Sequence, residues 1–77
     1  MRFHRDTWNA IETFLDTASE RQLIETQTKV FNLLAEPNDR ALRADLKVVY
    51  RLILDERRTR ALIAERAARP RLQPALA

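Results

Sequence analysis

Five cations recur along one stretch of this chain, and their types and spacing are the first features that could do chemistry. Arg40, Lys47, Arg51, Arg58 and Arg69 are separated by 7, 4, 7 and 11 residues. On a helix turning about 100° per residue they fall within about 40° of one another, in a single row. Such a row can follow a phosphate backbone or an acidic surface, with an affinity that weakens as salt rises. It can equally be a solvated face, because charge rows often do no more than keep a helix in water. Glu65 interrupts the row and stands one turn from Arg69, where the two can pair.

A second set lies further along the same stretch. Arg57, Arg60, Leu62, Ile63 and Arg66 place an apolar pair among arginines. Arginine is over-represented where proteins dock on one another, which makes these five the candidate protein-binding residues. A frayed helix end or a dimer seam would have the same composition.

Catalytic chemistry is poorly provided for. Ser19 is the only serine, the chain has 1 histidine (His4), and cysteine is absent. No nucleophile and base can therefore be paired, and no thiolate or imidazole cluster is available for zinc. The carboxylate pairs Glu12/Asp16 and Asp55/Glu56 fall on faces that read as solvated. Glycine is also absent, which argues against phosphate-cradling loops and primed hairpins. We expect no enzyme, no cofactor, no metal and no small-molecule substrate.

The elements that must carry these residues are helical. Trp8, Ile11, Phe14, Leu15 and Ala18 recur at helical spacing and predict a first helix over about residues 7–18, capped by Asp6 or Thr7. Trp8 reads as a core anchor. Ser19 with Gln22 has the form of a capping box, opening a second helix over 20–35 whose broad apolar face holds Leu23, Ile24, Val30, Phe31, Leu33 and Leu34. Glu25 and Lys29 suit an i,i+4 pair. Pro37 ends that helix by disfavouring helical geometry at Glu36, and Asn38 or Asp39 can cap a third helix.

The third helix is expected over 40–68, with Leu42, Leu46, Val49 and Ile53 as its core stripe. Between residues 46 and 54 only Lys47 and Arg51 interrupt the apolar residues, so roughly two-thirds of its circumference is apolar and suited to burial on most sides. It should outrun its neighbours. A second helix of about 24 Å can cover a third of about 43 Å only to around Glu56 or Arg57. Beyond that point the sequence suggests no intramolecular partner. The segment 70–77 contains two prolines and reads as a flexible tail.

The reading is an all-α chain, a small three-helix bundle with two shorter helices packed on a long C-terminal one. It forms one helical domain over 1–69. A domain this small has little stability to spare, so efficient packing or self-association must stand in for disulfides. Residues 1–39 carry four bases and seven acids, net −3, whereas residues 40–77 carry ten bases and four acids, net +6. That asymmetry points to an acidic or nucleic-acid partner for the second half, although the arginine bias would also result from a GC-rich genome. A helix-turn-helix is disfavoured, because the turn has no glycine and the third helix opens on core leucines.

The leading expectation is a non-catalytic regulatory or inhibitory protein that binds a protein partner and forms a homodimer. Its size and charge suit the compact regulators of phages and other mobile elements, anti-CRISPR-type inhibitors among them. The alternatives are a nucleic-acid-binding accessory protein using the basic row, and a structural oligomerisation subunit. No run approaches the roughly 20 apolar residues of a membrane span, and the charged start of the chain lacks an apolar signal segment. A cytoplasmic protein without membrane contact is expected.

Overall fold

The computed structural model describes residues 2–69, which form three helices: α1 (Arg5–Thr17), α2 (Glu20–Ala35) and α3 (Arg40–Ala68). No strand occurs among the described residues. The expected tail at 70–77 lies outside them.

Local sequence signals set the helix ends. Ser19 closes a capping box: its hydroxyl accepts from the Gln22 N–H at 3.1 Å, and the Gln22 side chain accepts from the Ser19 N–H at 2.8 Å. Asp39 caps α3 by accepting from the Leu42 N–H at 2.7 Å. Asn38 serves the other side of the same turn. Its amide donates to the carbonyls of Leu33 and Glu36 at the end of α2, and Arg43 also donates to the Glu36 carbonyl at 3.3 Å. Side chains thus satisfy the carbonyls that a glycine C-cap would otherwise serve, and no described residue has a positive φ.

The start of α1 departs from the sequence expectation. The helix begins at Arg5, with His4 at the cap position and no side-chain cap hydrogen bond. Asp6 and Thr7 therefore lie inside the first turn, where the Asp6 charge still suits the helix dipole. The entry is held instead by Phe3, whose ring lies 5.4 Å from that of Trp8. These two flank the helix start as a hydrophobic staple. The Phe3 N–H also donates to the Asp45 carboxylate of α3 at 2.9 Å, which pins the entry to the bundle.

The core consists of Leu15 and Ala18 from the end of α1, Leu23 and Val30 from α2, and Leu46, Val49 and Ile53 from α3. Leu23 and Ile53 are wholly enclosed. Trp8, Ile11, Phe14, Leu34, Leu42, Tyr50 and Leu52 pack partly buried against them. α2 and α3 form an antiparallel pair, registered by Phe31 against Tyr50 and by Gln27 and Glu20 against Arg57. α1 lies along one side of α3. An apolar cleft of about 300 Å³ separates it from α2, lined by Ile11, Phe14 and Leu15 on one wall, Thr26 on the other, and Val49 and Ile53 at the floor.

Candidate interaction surfaces

The cations of α3 divide by the side of the helix they stand on. Arg57 and Arg60, expected to project beyond the bundle, are held within it. Arg57 donates to Glu20 at 2.9 Å and to Gln27 at 2.7 Å, bridging the first turn of α2 to its middle. Arg60 donates to Glu56 at 2.8 Å, to the Leu15 carbonyl at 2.8 Å and to the Ala18 carbonyl. It closes the C-terminus of α1, where unpaired carbonyls and the negative end of the dipole favour a cation. The supported length of α3 therefore extends to residue 60 rather than to Glu56 or Arg57. The reason is the reach of arginine: its fork spans the gap that an aliphatic side chain would leave open. Glu56, expected on a solvated face, is half-buried through this contact.

From residue 61 to residue 69 every position is exposed. These two helical turns extend about 12 Å past Arg60. Leu62 is 53% and Ile63 62% exposed, and with Thr59 and Arg66 they border a shallow depression. Of the five residues singled out for protein binding, Leu62, Ile63 and Arg66 stand on this overhang, while Arg57 and Arg60 brace its base.

The basic row is present as a surface. Arg40, Lys47, Arg51 and Arg58 are exposed and make no hydrogen bond or ion pair among the described residues. Arg69 differs, being paired with Glu65 at 3.1 Å. On α2 the exposed Glu25 turns to Arg21 at 4.0 Å rather than to Lys29. A cation stands one turn to either side of it, and such pairs differ by only about 0.2–0.5 kcal/mol.

One exposed face is not evident from the sequence. α1 covers only one side of the α2–α3 pair, and on the other side Ile24 (43% exposed), Phe31 (59%) and Leu54 (37%) reach solvent. Phe31 and Tyr50 sit together there, ring centroids 6.1 Å apart. Helical spacing places Ile24, Phe31 and Leu33 on the broad apolar face of α2, and the structure leaves all three exposed. The available signal was the width of that face, which exceeds what one facing helix can cover. On α3, Val48 is likewise 47% exposed.

Among the described residues no group of three or more histidine, cysteine, aspartate or glutamate side chains could hold a metal ion, and no helix is long and apolar enough to cross a membrane. Comparison of the chain with protein-family models, curated proteins and solved structures finds no match.

Proposed function

We propose that this chain is a small non-catalytic regulatory or inhibitory protein that acts by occupying a surface of a protein partner. The overhang of α3 supports the reading. An isolated helix of two turns is marginal in water, yet this one presents two large aliphatic side chains and an arginine to solvent. A partner groove would bury Leu62 and Ile63, and Arg66 could reach a rim carboxylate. Arg57 and Arg60 act as positioning residues, because their bonds to α2 and α1 fix the direction in which the overhang leaves the bundle.

The test compares wild type with Leu62→Asp in capture of partners from cells of origin, alongside light scattering and circular dichroism. Capture lost in the variant, with helicity and melting unchanged, supports the reading. Capture that survives the substitution refutes the overhang as the docking site. A wild-type dimer that becomes monomeric in the variant, with a concentration-dependent loss of melting temperature, makes the overhang a self-interface. The chain would then be a structural oligomerisation subunit.

A further inference from the structure

We propose that the side of the α2–α3 pair left open by α1 binds single-stranded nucleic acid, with Arg40, Lys47, Arg51 and Arg58 on the phosphates and Phe31 beneath a base. Three observations carry this. First, arginines that face the bundle on α3 are bonded (Arg43, Arg57 and Arg60), whereas Arg40, Lys47, Arg51 and Arg58 are exposed and have no partner among the described residues. Second, these four stand in one row spanning about 27 Å from Arg40 to Arg58, a length suited to several successive phosphates.

Third, the row borders an aromatic face. Lys47 and Arg51 are helix-surface neighbours at i,i+4, Tyr50 is i+3 from Lys47, and Leu54 lies between Arg51 and Arg58 at i+3 and i−4. Tyr50 in turn meets Phe31, which is 59% exposed. A basic track beside an exposed aromatic face is the arrangement that binds single strands, because every base has a π-face whereas duplex bases are already stacked. Asp55 stands on the far edge of the row and pairs with neither Arg51 nor Arg58. It biases the strand towards the side that carries Phe31. The inference uses none of the overhang residues, so it stands or falls independently of the protein-docking reading.

The experiment is fluorescence anisotropy with labelled single-stranded DNA and RNA of about 12 nucleotides and with the matching duplex, from about 20 to about 200 mM KCl. For four phosphate contacts, the logarithm of the binding constant should fall against that of salt with a slope of about −2.8 on a single strand. Arg51→Gln with Arg58→Gln should halve that slope. Phe31→Ala should weaken binding about ten-fold and leave the slope unchanged. Circular dichroism confirms that each variant remains folded, and Leu62→Ala, which leaves the charge beside Arg58 unchanged, should bind as wild type does. DNA and RNA bound alike place recognition on phosphate and ring. RNA bound more tightly adds contacts to the 2′-hydroxyl, and either result supports the proposal. No binding at the lowest salt overturns it, as does equal affinity for the duplex or an affinity indifferent to Phe31→Ala. Displacement of the oligonucleotide by poly-glutamate at equal charge also overturns it, and would reassign the row to an acidic protein.

Discussion

Replacing Arg60 by alanine removes the side chain that closes α1 onto α3. The guanidinium donates to the Leu15 and Ala18 carbonyls and to Glu56, and the side chain is 28% exposed. Hydrogen bonds involving a charged group contribute about 1.5–3 kcal/mol each when sheltered. Partial solvent access here reduces the two carbonyl bonds to about 2–3 kcal/mol together. The i,i+4 pair with Glu56 adds only about 0.3–0.5 kcal/mol. The expected loss is therefore about 3 kcal/mol, from a total of roughly 4–11 kcal/mol for a domain of this length.

Urea unfolding monitored by circular dichroism reads this directly. With a slope of about 1 kcal/mol per molar urea, the midpoint should fall by about 2–3 M. Two comparisons isolate the cause. Arg58→Ala removes an arginine that bonds nothing among the described residues and should stay within about 0.5 kcal/mol of wild type. Arg60→Lys keeps the charge without the planar fork, reaches one carbonyl rather than two, and should lose about half as much as alanine. Equal midpoints for Arg60→Ala and Arg58→Ala would refute the claim that a guanidinium holds α1 in place.

Two further outcomes are expected from the helix caps and from the length of α3. Ser19→Ala opens the capping box of α2 and should cost about 1 kcal/mol, seen as a drop of roughly 4–8 °C in melting temperature; an unchanged melt would mean that packing alone starts the helix. Amide hydrogen exchange should divide α3 near residue 60, because every position from 61 to 69 is exposed. Slow exchange is expected around Val49 and Ile53, and exchange approaching that of an isolated helix beyond Leu62. Equal protection along α3 in the free monomer would contradict this division.

Much of the architecture was legible in the chain because it rests on local physics. Helical spacing of apolar residues, the Ser19–Gln22 box and the carboxylate cap at Asp39 all act within a few residues of where they are read. The breadth of the apolar surface on the third helix and the row of cations were also visible. The cap of α1 was misplaced because the stabilising contact, Phe3 on Trp8 with a bond to Asp45, needs a residue 42 positions away. The sequence alone thus determined the number of helices and their chief turns. Only the tertiary structure decided which arginines are bonded within the bundle and which face solvent, and which half of the apolar surplus α1 leaves open. Both depend on register and packing angle between helices, which bring Arg60 to the end of α1 and leave Phe31 in solvent; neither is encoded at any single spacing along the chain.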